Sequence, residues 1–164
     1  MPQKASQNTL FPDPQIPDIS GIVITGSRDI PREIARGLFA KHLLPWLGSE
    51  KQWLIGGARG IDHWAAEWLL EKEEQCLIVV PFSVADQPKE VQSILSRIPN
   101  VKELHLSKSK ASYIQRNRYM VDHAAVVLGF WSGKAGGTLS TIQYALSKRR
   151  ELHVYVVEIA RAAD

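Results

Sequence analysis

The chain has 164 residues, 45% of them hydrophobic, which suits one globular domain with a real core. A lone cysteine, Cys76, excludes an internal disulfide framework. No secretory apolar segment opens the chain and no apolar run approaches a membrane span, so a reducing, cytoplasmic setting is the default expectation. The net charge of +3 is unevenly spread: residues 1–82 hold 8 Lys/Arg against 10 Asp/Glu, and residues 83–164 hold 12 against 7. The basic half points towards an anionic partner, although a solvated surface also explains such an imbalance.

In chain order, residues 1–18 contain Pro2, Pro12, Pro14 and Pro17 and little periodicity. They read as an extended tail ahead of a single domain over 19–164. A first strand, about Ile19 to Thr25, runs into Gly26-Ser27-Arg28-Asp29. Asp29 is expected to cap a helix whose first turn tolerates Pro31 and which stops near Pro45. A short strand, Gln52 to Ile55, leads into Gly56-Gly57-Ala58-Arg59-Gly60-Ile61-Asp62. In the helix that follows, Ile61, Trp64, Ala65, Trp68 and Leu69 keep strict helical spacing, so both tryptophans read as core. Cys76 opens the apolar run to Val80 and reads as a buried, inert thiol. A strand over Leu77 to Pro81, a weaker helix over 88–98 and a strand over Val101 to Leu106 follow. The basic loop Lys108 to Lys110 then leads into a helix over Ser112 to His123.

The next stretch, Ala124 to Ala145, organises the rest. A buried strand over Ala124 to Trp131 enters the loop Ser132 to Gly137, and a helix opens at Thr138 on Leu139, Ile142 and Leu146. A last strand covers His153 to Val157. Strands and helices alternate throughout, which predicts an α/β, Rossmann-like, doubly wound and mainly parallel sheet with helices on both faces.

In such a sheet ligands bind beyond the carboxyl ends of the strands. Seven of the eleven glycines lie there: Gly26, Gly56, Gly57, Gly60, Gly133, Gly136 and Gly137. A glycine turn before a helix N-terminus leaves backbone N–H groups unpaired in the positive end of the helix dipole, a setting for phosphate. Thr138 either caps that helix or donates its hydroxyl to a phosphate oxygen. Arg28 and Arg59 offer planar forks for phosphate oxygens; the plainer reading pairs them with Asp29 or Asp62 on the surface. Asp62 itself reads as a helix N-cap rather than a catalytic acid. Ser27 and Ser132 follow strands, and Trp131 is placed to stack on a base.

Several chemistries find no support. There is no GxGxxG and no GxxxxGK[ST]. The five histidines and Cys76 lack metal-ligand spacing, and no Ser/His/Asp set can be assembled. No cofactor or metal is expected.

Gly56 to Asp62, GGARGID, resembles the motif of the DprA/Smf proteins, the DNA-processing and recombination-mediator family. Arg116-Asn117-Arg118 looks like that family's RN segment, and Gly136-Gly137-Thr138 is similar to the turn shared with the Lonely Guy family. With Met120-Val121-Asp122 between them, the order also resembles the compact YpsA-like branch of the SLOG superfamily. The resemblance covers about residues 20–157 and implies a Rossmann-like binding core. DprA proteins usually carry further domains beside that core, and nothing of that size is present here. Lonely Guy enzymes cleave nucleoside monophosphates with an arginine and a glutamate, and Thr141 stands where their glutamate belongs.

The first reading is therefore a binding module for a nucleotide or the phosphates of single-stranded nucleic acid. Gly26 to Arg28, Gly56 to Asp62, Ser132, Gly133 and Gly136 to Thr138 cradle the phosphate, and Arg116 and Asn117 anchor the ligand or order the loops. The rivals are a nucleotide-processing enzyme with a different acid and an assembly protein without ligand. A homodimer is among the expected partners; a membrane is not.

Overall fold

The computed structural model describes residues 20–159. The tail expected over 1–18 and the Ile19 start of the first strand lie outside them.

Strands and helices alternate as β1 (Gly21–Gly26), α1 (Arg32–His42), β2 (Trp53–Gly56), α2 (Ile61–Glu71), β3 (Cys76–Val80), α3 (Lys89–Leu95), β4 (Asn100–Glu103), α4 (Lys110–Asp122), β5 (Ala124–Trp131), α5 (Gly137–Ser147) and β6 (Glu151–Val156). The six strands form one sheet in the order β4-β3-β2-β1-β5-β6, and every neighbouring pair is parallel. This is the doubly wound α/β architecture that the alternation predicts.

The strand pleat sorts side chains into two cores. Ile22, Ile24, Ile55, Ile78 and Leu128 pack against α1, α2 and α3 through Phe39, Ala65, Leu69 and Ile94. Val23, Leu54, Val79 and Val127 pack against α4 and α5 through Met120, Val121 and Ala145. Burial on both faces explains why β1, β3 and β5 are nearly continuous apolar runs. Cys76 is buried in the first core, and burial raises its thiol well above the usual range, so it stays protonated.

Four expectations need correction. The N-cap of α1 is Pro31, not Asp29, and it makes no side-chain cap. Asp29 instead turns to Lys134 across the neighbouring loop. The N-cap of α2 is Gly60, and Asp62 lies inside the first turn. The N-cap of α5 is Gly136, so Thr138 is not the cap. On α5 the buried residues are Thr141 and Ala145, while Leu146 is 68% exposed. The small side chains let α5 lie close to the sheet, and Leu146 falls outside the contact.

From β1 the chain builds outward through β2, β3 and β4, then returns to the other side of β1 with β5. Between β1 and β5 the order reverses, and the loops after these two strands diverge there.

Candidate functional site

The loops at the carboxyl edge are locked to one another first. Ser27 donates its N–H to the Phe130 carbonyl at 2.9 Å, and its hydroxyl accepts the Ser132 N–H at 2.9 Å. The second glycine loop packs beneath the first. Gly60 has φ +73°, and a Cβ there would stand 2.5 Å from the Arg28 Cα. A Cβ on Gly26 would strike the Ile61 side chain at 2.5 Å, and one on Gly57 would meet Gln87 Nε2 at 2.8 Å. These glycines are required because protein approaches protein. Gly133 and Gly136 differ: φ is +90° and +153°, and a Cβ on either would meet nothing within 4 Å.

Beneath the loops lies a buried charged group. Asp62 is 8% and Arg116 3% exposed, and a Cβ on Gly56 would lie 2.8 Å from both Arg116 Cζ and Asp62 Oδ2. Asp62 accepts the Ala58 N–H at 3.2 Å. Burial pushes its carboxyl up to about 6, against the opposing pull of Arg116, the Ala58 N–H and Arg28. Arg116 Nη1 donates to the Val79 carbonyl at 3.1 Å, and Nε donates to Asn117 Oδ1 at 2.7 Å. Burial draws the guanidinium below its ordinary value, while Asp62 acts the other way.

Above this group opens a cleft of about 600 Å³ between the β1–α1 and β5–α5 loops and the start of α4. Of the expected residues, Gly26, Ser27, Arg28, Asp62, Arg116, Asn117, Ser132, Gly136, Gly137 and Thr138 line it. Gly56, Gly57, Arg59, Gly60 and Gly133 do not. Arg59 points away into an exposed ion pair with Glu90. Trp131 donates its indole N–H to the Lys134 carbonyl at 2.7 Å and stands outside the lining.

Lys110, Tyr113, Ile114 and Lys134 also line the cleft and were not singled out from the sequence. Two signals existed. Tyr113 precedes Arg116 by three positions, which puts them on one side of a helix. Lys134 lies inside the glycine loop.

The floor and rim are cationic. Arg28, Lys110, Arg116 and Lys134 face two carboxylates, Asp29 and Asp62. Lys134 Nζ lies 2.7 Å from Asp29 Oδ2 and, ahead of a smaller contribution from Ser132, holds that carboxyl below its usual range. Arg28 and Lys110 form no ion pair among the described residues. The uncapped start of α5 adds backbone donors: the first helical bond is from the Ser140 N–H to the Gly136 carbonyl at 3.0 Å, so the preceding N–H groups have no partner in the helix. The Thr141 hydroxyl donates to the Gly137 carbonyl at 2.8 Å and is buried. Among the described residues no cluster of His, Cys, Asp or Glu is arranged to hold a metal ion. No helix among them is long and apolar enough to cross a membrane. Chemically, the cleft gathers four cationic side chains and the free backbone donors of a helix start against two carboxylates, an arrangement suited to an anion.

A profile of DNA recombination-mediator protein A matches residues 12–163. The uncharacterized SPbeta prophage-derived protein YoqJ of Bacillus subtilis (strain 168) is 27% identical, over 57% of this chain and 68% of its own. The fold is similar to that of DNA processing protein A (DprA) from Streptococcus pneumoniae, with a TM-score of 0.69 at 19% identity, covering 83% of this chain and 50% of that one. It is also similar to DNA processing protein A from Helicobacter pylori, described with a unique single-stranded DNA binding mode. There the TM-score is 0.68 at 20% identity, over 88% of this chain and 74% of that one. At these identities the structural likeness speaks for the fold. The chain spans about half the length of the streptococcal structure.

Proposed function

Because this chain belongs to the DNA recombination-mediator protein A family, we propose that it binds the phosphates of single-stranded nucleic acid in the cleft between β1 and β5. One observation carries the reading: Arg28, Lys110 and Lys134 and the uncapped N-terminus of α5 converge on one open cleft. A phosphodiester meets point charges from the lysines, a planar fork from Arg28 and backbone donors at Gly137 and Thr138. The single-stranded DNA binding described for the Helicobacter pylori relative supports this choice of ligand. The buried Asp62 and Arg116 lie under the loops and hold them in register.

The cleft's volume, about 600 Å³, also matches that of a small-molecule site, which favours a free nucleotide as the second reading.

Salt dependence separates the two. A fluorescein-labelled thymidine oligonucleotide is titrated by anisotropy over a range of salt concentrations, and AMP is titrated by calorimetry. Strand binding gives a logarithmic salt slope of about −0.7 for each phosphate neutralised. Arg28→Ala and Lys134→Ala each weaken it and flatten the slope. A salt-independent oligonucleotide affinity, or variants that bind as the parent does, removes the strand reading; saturable AMP binding then supports the nucleotide pocket.

A further inference from the structure

We propose that β6 pairs antiparallel with β6 of a second copy of this chain, about a two-fold axis at Val154, so that two sheets join edge to edge. This edge lies outside the cleft, and its pairing is independent of phosphate binding.

On α5, Leu139, Ile142 and Leu146 keep helical spacing, yet the helix lays Thr141 and Ala145 on the sheet. Tyr144 marks the flank towards α4, where its hydroxyl donates to Asp122 at 2.7 Å. The three apolar residues therefore lie on the other flank, over β6. Leu152 of β6 packs against the core on the α5 side, and strand alternation puts Val154 and Val156 on the same face. Leu146 is 68%, Val154 37% and Val156 67% exposed. An apolar helix flank and an apolar strand face thus meet in water at the rim of the sheet.

The backbone of β6 is open on the same side. It ends the sheet, and no strand among the described residues pairs its outer edge. Val157 donates its N–H to the Trp131 carbonyl on β5 at 2.7 Å, so alternation turns the N–H and C=O groups of Leu152, Val154 and Val156 outward. The opposite edge, β4, is guarded: it has 4 residues and carries Lys102 and Glu103. Short, charged edges resist pairing, whereas a 6-residue edge with two exposed valines invites it.

The residues along the edge select the occupant. About a two-fold at Val154, every outward backbone group meets an outward one. Val154 faces Val154 of the second copy, and Leu152 faces Val156. Arg150, before the strand, faces Glu158, beyond its end. Apolar meets apolar and positive meets negative. Moving the register by one pair sets Val156 against Arg150 or Leu152 against Glu158. A surface that complements itself makes an isologous contact, which favours a second copy over an unrelated protein. The same two-fold brings the α5 flanks together on one face and covers Leu146. The carboxyl edges then point in opposite directions, so each cleft stays open.

Sedimentation equilibrium of the full chain tests this, with circular dichroism to confirm that each variant folds. The parent is expected to be a dimer at micromolar concentrations. Val154→Lys sets two like charges against each other on the axis and raises the dissociation constant by about a hundredfold. Glu158→Lys, at an exposed position, raises it by about tenfold and keeps the test open should Val154→Lys not fold. Val154→Cys is joined across the axis by bismaleimidoethane, whereas Ser93→Cys, exposed on α3, is not; the native Cys76 is buried and reacts in neither. A parent that stays monomeric overturns the proposal. A dimer left intact by these lysine substitutions also overturns it, because the contact then lies elsewhere. An assembly larger than a dimer overturns it too, because two-fold pairing closes on itself.

Discussion

Asp62 and Arg116 both border the space that Gly56 leaves by having no side chain: a Cβ there would stand 2.8 Å from each. Two glycine-loop functions are thereby separated. Gly56, at the end of β2, makes room for buried charge, whereas a Cβ on Gly133 or Gly136, after β5, would meet nothing within 4 Å. Gly56→Ala must push apart two buried ionisable groups on a strand end with no slack. It is expected to destabilise the fold by about 1–3 kcal/mol, the range for overpacking a well-filled interior. Urea denaturation measures this, and a change below about 0.5 kcal/mol shows that Arg116 and Asp62 reorganise freely.

Asp62 also sets a pH dependence. Its folded value of about 6 lies above the ~3.9 of an unfolded Asp, so the native state holds this proton more tightly. Stability from this group is then full below about pH 4 and is lost as pH rises through about 6. The gap corresponds to about 3 kcal/mol. Asn at this position has no such titration. Urea midpoints of the parent, relative to Asp62→Asn, are expected to fall across that window; parallel curves place the titration elsewhere.

Lys134 is held by Asp29 at the mouth of the cleft. A strand phosphate has to compete with that carboxylate. Asp29→Asn therefore strengthens oligonucleotide binding by about 1 kcal/mol at low salt and steepens the salt slope. Unchanged anisotropy titrations mean that Lys134 does not meet the ligand.

Arg28 and Arg59 sit in neighbouring loops but face different surroundings. Arg28 lines the cleft, whereas Arg59 pairs with Glu90 on an exposed flank. Arg28→Ala is expected to weaken binding by about 1–3 kcal/mol, as for a charge-assisted hydrogen bond. Arg59→Ala is expected to change stability by less than about 1 kcal/mol and to weaken binding less than Arg28→Ala does. Calorimetry with a short oligonucleotide ranks the two, and the reverse order moves the ligand towards the GGARGID flank.

No release of free base from AMP is expected over hours at high protein concentration. The hydroxyl that replaces the Lonely Guy glutamate, on Thr141, is buried and donates to the Gly137 carbonyl. The buried carboxyl in the cleft lining is Asp62. Turnover that disappears in Asp62→Asn makes Asp62 a catalytic acid and overturns the binding-module reading.

The parallel sheet was legible in the sequence because its signals are local. Apolar runs, helical spacing and glycine turns each report on a few neighbouring residues, and their alternation leaves few topologies. The β5 strand, Ala124–Trp131, has the expected bounds for that reason. Arg28 and the Gly136–Thr138 turn stood out because a strand-to-helix turn carries its own chemistry, and Arg116 stood out through its resemblance to the RN segment.

Tertiary structure decided what each of these residues faces. A glycine looks the same in sequence whether a ligand or Arg116 fills the space beside it, so Gly56 and Gly136 could not be told apart. Asp29 carries a good capping side chain, but Lys134, far along the chain, offers a full charge where the helix offers partial ones. Leu146 keeps helical spacing with Ile142, yet its burial depends on where α5 crosses the sheet. Tyr113 joined the cleft lining only when α4 was placed against β2, β3 and β5, because exposure within a cleft belongs to the packed elements and not to any one of them.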